Sequence, residues 1–205
     1  VACGGVVRVI NGVTIDGGRI TKIGLPSRWL GIFQIVEYLR GFLFGRAGLD
    51  RLGGTLILSG AFSMFQKQAV IDAGGFAINN VCEDMEIIVR IHKQHLLAKK
   101  PYAVRFITDP ICWTEVPETM KQLAGQRRRW HLGLIQTMMK YKSMVFNPRY
   151  GKVGMLTMPY YFFAEMLSPF IEVLGYVAMV GAYVFNLINF NLFFLFIFLA
   201  IFYGV

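Results

Sequence analysis

Two short clusters carry residue types that could act together on an anionic substrate. Glu83 and Asp84 set two carboxylates side by side, and residues 126–130 read Gln-Arg-Arg-Arg-Trp. A positioned carboxylate can take the proton of a hydroxyl that is otherwise a poor nucleophile. Gln126, Arg129 and Trp130 stand at i, i+3 and i+4, a spacing that gathers an amide, a guanidinium and an indole on one helix face. Arginine offers a bidentate fork to phosphate oxygens, and tryptophan a flat plate for stacking under a sugar ring. Each cluster has a plainer reading beside this one. An acidic pair at a helix start is favoured by the helix dipole. A basic helix can instead touch anionic lipid head groups, at about 1 kcal/mol per charge.

Fewer cues surround these clusters. Gly60, in Ser-Gly-Ala-Phe at 59–62, follows an apolar run and would let a ligand approach the backbone, although a simple tight turn would use the same residues. His92 and His95 read as exposed residues of a helix rather than metal ligands, and His131 adds polarity beside Trp130. Glu165 and Glu172 lie seven apart on one face of an apolar stretch, where acids usually face a protein interior or pore. The cysteines at 3, 82 and 112 form no C-x-x-C pair, which leaves them as reduced thiols of a cytoplasmic domain.

The elements that must position these residues follow from periodicity. Residues 6–10 and 103–107 read as strands, and 56–58 as a short buried strand. Asn11-Gly12 and Asp16-Gly17-Gly18 signal turns, and Asp109-Pro110 closes the strand before it. Helical periods run over 29–44, 67–73 and 84–95, the last with Ile87, Ile88 and Ile91 on one face and Glu86, Arg90 and Lys93 largely elsewhere. Strands alternating with helices predict an α/β domain with a mainly parallel sheet. Residues 119–142 form a further helix with Thr119 as N-cap. Its apolar and cationic faces suit a helix lying at a membrane interface.

Charge is distributed unevenly. The chain of 205 residues has a net charge of +9, yet no Lys or Arg follows Lys152, and Glu165 and Glu172 are the only charged residues after it. Residues 155–185 are long and apolar enough for a bilayer span, kinked at Pro169, and 192–205 begin a second span. Lys140, Lys142, Arg149 and Lys152 precede the first span, so the positive-inside rule places the α/β domain in the cytoplasm. The predicted division is therefore 1–118, 119–152 and 153–205. The first residue is not Met and the last lies within an apolar run, so the chain reads as a fragment.

The motifs in order are SGAF (59–62), GGF (74–76), CEDME (82–86), TEVPET (114–119) and QRRRW (126–130), followed by apolar helices. Together they resemble the processive membrane family 2 glycosyltransferases, such as cellulose, chitin, hyaluronan and poly-N-acetylglucosamine synthases. The resemblance covers most of the chain. It implies part of a Rossmann-like GT-A fold, and inverting transfer from a nucleotide-sugar, UDP-linked by preference, to a growing glycan acceptor. The implied setting is the plasma (inner) membrane, crossed several times, with the catalytic domain cytoplasmic and the lipid bilayer as a partner; no nucleic acid is expected.

By the same resemblance Asp84 is the catalytic base, Glu83 its acidic neighbour, and Gln126, Arg129 and Trp130 sit by the donor diphosphate and acceptor sugar, with Gly60 near the acceptor end. Two departures stand out. Cys82 replaces the Thr of the family's Thr-Glu-Asp motif, and no Asp-x-Asp is present. The divalent Mg or Mn that such a motif binds is expected in the full-length enzyme, with ligands mostly outside this chain, which alone should be inactive. Two other readings remain: a non-catalytic membrane scaffold gripping anionic lipid through its basic helix, and a degenerate transferase kept as an assembly subunit.

Overall fold

A computed structural model describes residues 1–204, with side chains for all of these except 110 and 201–204. The fold is mixed α/β. Strand β1 (Ala2–Val9) is its centre, with Val6, Val7 and Val9 buried and Arg8 exposed, the apolar pattern of a strand covered on both faces. It pairs in parallel with β5 (Val104–Thr114) and antiparallel with the short β4 (Ser63–Phe65), giving the order β4-β1-β5. The expected mainly parallel sheet is thus a mixed one. Nor do Asp109 and Pro110 close the strand: pairing breaks after Gly4↔Phe106 and resumes at Val6↔Ile111, so β5 absorbs them in an irregularity and continues. Strands β2 (Thr14–Asp16) and β3 (Arg19–Lys22) form a separate hairpin. Gly17 and Gly18, at φ 54° and 75°, supply the two positive angles that a two-residue turn needs.

The helix predicted over 29–44 is α1 (Trp29–Tyr38), continued by a π-helical segment Leu39–Gly45 and then α2 (Arg46–Arg51). Residues 56–58 are not a strand. Leu56 and Leu58 are fully buried, but their stretch of chain is in no ladder, and the Thr55 carbonyl accepts instead from His92 Nε2 at 2.8 Å. Burial produced the apolar signal there; sheet pairing did not.

Helix α3 (Lys67–Asp72) leads to α4 (Glu83–Leu97), which buries Ile87, Ile88 and Ile91 as predicted. It also buries Glu86, which the periodicity set largely off the isoleucine face, and His92, which was expected to be exposed. His92 is held on both ring nitrogens, by Thr55 and by the Tyr102 hydroxyl at 2.6 Å. Burial then pushes its pKa down to about 4, so the ring is neutral. Helix α5 (Met120–Lys140) starts at Thr119, whose Oγ1 accepts from the Gln122 N–H at 3.4 Å.

One core cluster joins Leu56, Met85, Val89 and Met138 to Val153, Met158, Tyr161 and Met166, so packing continues across residues 152–153. Two π-helical segments, Val153–Thr157 and Tyr160–Met166, precede α6 (Ser168–Val184). The bend between this stretch and α6 is 42°, with Pro169 in the first turn of α6, close to where the kink was predicted. Helix α6 has no buried residue. Helix α7 (Phe190–Gly204) coincides with the predicted second stretch, whose residue 205 lies outside the described residues. No single described helix is long and apolar enough to cross a membrane, so the single span expected over 155–185 is instead a bent pair, Val153–Met166 with Ser168–Val184, which meets the length and composition of a span only when the two parts are taken together.

Candidate functional site

Helix α4 presents its acidic start to the loop after Leu58. Asp84 is half-buried, and its Oδ2 accepts from the Gly60 N–H at 2.9 Å while Oδ1 accepts from the Met85 N–H at 2.8 Å. A Cβ at residue 60 would stand 3.3 Å from Oδ2, so glycine permits this approach. Burial raises the Asp84 pKa above the ordinary carboxylate value; the two N–H bonds pull it back, Glu83 raises it and Arg46 lowers it. The result is a carboxylate more basic than usual and fixed in direction. Glu83 beside it is exposed.

Helix α5 crosses directly against this start. Cys82 Sγ lies 3.8 Å from both the Arg129 and Trp130 carbonyl oxygens, and a Cβ at Gly133 would fall 2.3 Å from that sulfur. The thiol is pushed up to about 11 by burial and then by Asp84 and Glu83, so it is a neutral packing group. The Asn80 side chain donates to Thr137 Oγ1 at 3.0 Å, and Gln136 Oε1 accepts from the Val81 N–H at 3.0 Å. Further along, buried Glu86 accepts from Lys140 Nζ and the Tyr141 hydroxyl, each at 2.6 Å, and pairs with Arg90. Burial alone would raise the Glu86 pKa, but these donors outweigh it and hold it low. Arg90 in turn donates to the Ala73 and Gly75 carbonyls at 2.8 and 3.0 Å. One carboxylate thereby ties α4, α5 and the Gly-Gly loop together.

The predicted α5 triad divides. Gln126 and Arg129 line a cleft with Glu115, Pro117, Lys121 and Gln122, and Gln126 Oε1 is buried there without a hydrogen-bond partner. Trp130 instead joins the cluster of Val7, Val9, Tyr38 and Val116, with its ring 6.1 Å from that of Phe42. Arg127, which the spacing argument passed over, stacks on Trp130 at 4.7 Å and pairs with Glu37. Phe42 also lies 4.4 Å from Tyr38 and carries the Arg46 guanidinium at 4.2 Å.

Thus Gly60 meets Asp84, and Gln126 meets Arg129. Arg46, Phe42 and Glu37 were missed as site neighbours, because residues 29–44 read only as a helix and the glycines from 45 onward read as a loop, where the structure has α2. The sole cue was a long cation, Arg46, among Gly45, Ala47 and Gly48. Among the described residues no three of His, Cys, Asp and Glu gather as metal ligands, and both Asp84 oxygens already accept N–H bonds. The side chains present do not fit a divalent ion. What they offer is a fixed carboxylate with a raised pKa, Asp84, at the start of the helix that packs on α5.

Comparison with known proteins agrees in extent. Residues 27–205 match the family model described as glycosyl transferase family group 2. The chain is similar to chitin synthase 7 of Pyricularia oryzae, 31% identical over 130 residues, covering 58% of this chain and 16% of the relative. It is similar to chitin synthase 7 of Verticillium dahliae at 31% over 130 residues, 58% of this chain and 19% of the relative. It is also similar to the poly-beta-1,6-N-acetyl-D-glucosamine synthase of Staphylococcus aureus, 30% identical over 112 residues, 55% of this chain and 26% of the relative. The matches therefore span about a sixth to a quarter of those relatives.

Proposed function

The chain belongs to glycosyl transferase family group 2, and we propose that it carries the proton-accepting and acceptor-binding side of an inverting hexosyltransferase that extends a polysaccharide. The single observation behind this reading is the Asp84 carboxylate, held by the Gly60 and Met85 N–H groups two residues beyond Cys82, which packs on the Arg129 and Trp130 carbonyls of α5. Residues 1–118 are read as part of a GT-A domain, 119–152 as the helix region that closes its site, and 153–205 as the membrane part.

In this reading an acceptor hydroxyl gives its proton to Asp84 as its oxygen attacks the anomeric carbon in line. The new O–C bond forms while the bond from that carbon to the phosphate oxygen breaks, and the nucleoside diphosphate leaves with the electron pair. Arg129, exposed in the cleft with Gln126, offers its fork to the departing phosphate oxygens. Trp130, braced by Phe42 and Arg127, gives the acceptor sugar a fixed apolar wall. A divalent Mg or Mn in the whole protein would take its ligands from residues outside this chain.

The membrane setting is part of the same proposal. Exposed Ile171, Leu174, Val177 and Val184 on α6 leave an apolar surface suited to lipid, and the Glu172 carboxylate is bonded by the Tyr176 hydroxyl at 2.8 Å. Glu165 is likewise bonded, by Tyr160 at 2.7 Å. The scaffold alternative is weakened by Arg127, which pairs with Glu37 and stacks on Trp130.

The test uses the whole protein in detergent with UDP-N-acetylglucosamine as donor, since the staphylococcal relative is named for that sugar. Asp84→Asn should lower transfer by roughly 10²- to 10⁴-fold with donor binding retained. Wild-type turnover in that variant would remove Asp84 as the base. Trp130→Leu should raise the acceptor KM; on the scaffold reading that variant changes little, and binding to anionic vesicles instead tracks the number of arginines in the 127–129 run.

A further inference from the structure

A second, wider cleft of about 880 Å³ opens between residues 74–79, the second half of α4 and the end of α5. It shares no lining residue with the cleft of Gln126 and Arg129. Among the described residues its lining holds three cations, Arg90, Lys93 and Lys140, and no carboxylate. Glu86, fully buried, pairs with Arg90 and Lys140 and so balances one of the three charges. Arg90 is further fixed by the Ala73 and Gly75 carbonyls. Lys140 gives one bond to Glu86, and an ammonium has three to give. Lys93 is half-buried and pairs with no carboxylate among the described residues. Its Nζ stands 5.5 Å from the Tyr141 ring centroid, and Lys140 Nζ stands 5.4 Å from the same centroid. One ring thus gathers two ammonium groups, which repel each other unless an anion joins them. A cleft lined by one sign of charge focuses its field on such an anion.

The rest of the lining narrows the ligand. Phe76 and Leu97 are about half exposed and Ile78 wholly so, an apolar border that a small inorganic anion would leave bare. A fitting ligand has an anionic end and an apolar body. Tyr141, the ring that the two lysines share, belongs to the core cluster that includes Val153, Met158 and Met166 of the bent pair. Between them, residues 140–152 carry Lys140, Lys142, Arg149 and Lys152, all exposed, and no acid. The cleft therefore stands where the α/β part meets the apolar stretch, on its cationic border. Lysines at such a border attract anionic lipid.

We propose that this cleft binds the phosphate head group of an anionic phospholipid. Lys93 and Lys140 donate to the phosphate oxygens, Arg90 adds a fixed positive charge, and the apolar body rests on Phe76, Ile78 and Leu97. The site is separate from residues 127–129, through which the scaffold reading would grip lipid. The inference rests on the membrane setting given above and not on the transfer chemistry.

The experiment acetylates the lysines of the whole protein in detergent and reads each one by mass spectrometry, with phosphatidylglycerol, phosphatidylcholine, or UDP with EDTA added. At phosphatidylglycerol about ten times its half-saturating concentration, labelling of Lys93 and Lys140 should slow by about tenfold, with Lys22 of the β2–β3 hairpin unchanged. Lys93→Gln should remove most of the protection at Lys140. Ile78→Ser should weaken it as well, and because Ile78 is wholly exposed this variant leaves the fold intact. Lys22→Gln, which deletes the same charge elsewhere, should leave it unaltered. No protection, or equal protection by phosphatidylcholine, overturns the site. Protection by UDP alone overturns the lipid assignment in favour of a soluble nucleotide. A protein that stays in solution without detergent and does not float with phosphatidylcholine liposomes overturns the membrane setting, and this inference with it.

Discussion

The backbone N–H of Gly60 donates to Asp84 Oδ2 across 2.9 Å, and this bond fixes the direction of the proposed base. The contact joins two chain segments that the sequence keeps 24 residues apart. It requires that no side chain intervene. A Cβ at residue 60 would sit 3.3 Å from Oδ2, tight enough to move the carboxylate by a few tenths of an ångström. Gly60→Ala should lower transfer by roughly three- to tenfold with the melting temperature unchanged, measured by initial rates and thermal unfolding side by side. A full rate in that variant would mean that the bond does not aim Asp84.

Glu86 is the second carboxylate whose role the fold decides. It is fully buried, and removing it takes the shared acceptor from Arg90, Lys140 and the Tyr141 hydroxyl. Glu86→Ala should cost about 3–5 kcal/mol, read as a lower denaturant midpoint. Glu86→Gln, which keeps the shape and one acceptor, should cost less. Because the same group couples α4 to α5, transfer should fall in both.

His92 makes stability depend on acid. Its pKa is about 4 in the folded protein against about 6.5 unfolded. As pH falls below 6.5 the unfolded chain takes a proton that the native site refuses, so stability declines down to about pH 4 and then levels off, for a total of about 3 kcal/mol. Unfolding followed between pH 7.5 and 4 should give that slope, and His92→Gln should flatten it. The acid limb of transfer is separate: with its pKa raised by burial, Asp84 loses its basic form at a higher pH than an ordinary aspartate.

Cys82 and Gly133 form a matched pair at the α4–α5 crossing. A methyl at 133 would meet Cys82 Cβ at 2.4 Å, so Gly133→Ala should destabilise by about 1–3 kcal/mol through overpacking. With its pKa near 11, the Cys82 thiol is about 0.1% ionised at pH 8, and iodoacetamide should label it slowly in the native state and readily after unfolding. Fast native labelling would contradict the neutral packing role.

Local signals carried much of the fold. The Thr119 cap, the α4 isoleucine face, the Gly17-Gly18 turn and the break near Pro169 each depend on residues a few positions apart, and all four could be read from composition and spacing. The acidic pair and the Gln-Arg-Arg-Arg-Trp run were legible for the same reason. Spacing on α5 could gather Gln126, Arg129 and Trp130 on one helix face. It could not tell that Arg129 opens on a cleft while Trp130 turns to Phe42, because that depends on which neighbour fills each side.

What tertiary structure alone decided are the pairings between distant segments. Glu86 and His92 look like solvent-facing polar residues until Lys140, Tyr141, Thr55 and Tyr102 arrive to satisfy them. Residues 56–58 carry a strand's apolarity but occupy a buried, unpaired path. Trp130 gains Phe42 as a ring neighbour only when α5 packs against the segment that follows α1. The physical division is one of range. Capping, turns and helix periodicity are set by neighbours along the chain, whereas burial of a polar group is tolerable only with partners that folding brings from elsewhere. The residue types of this site are therefore written in the sequence, and their working partners are supplied by the packing of α4, α5 and the segment 29–51.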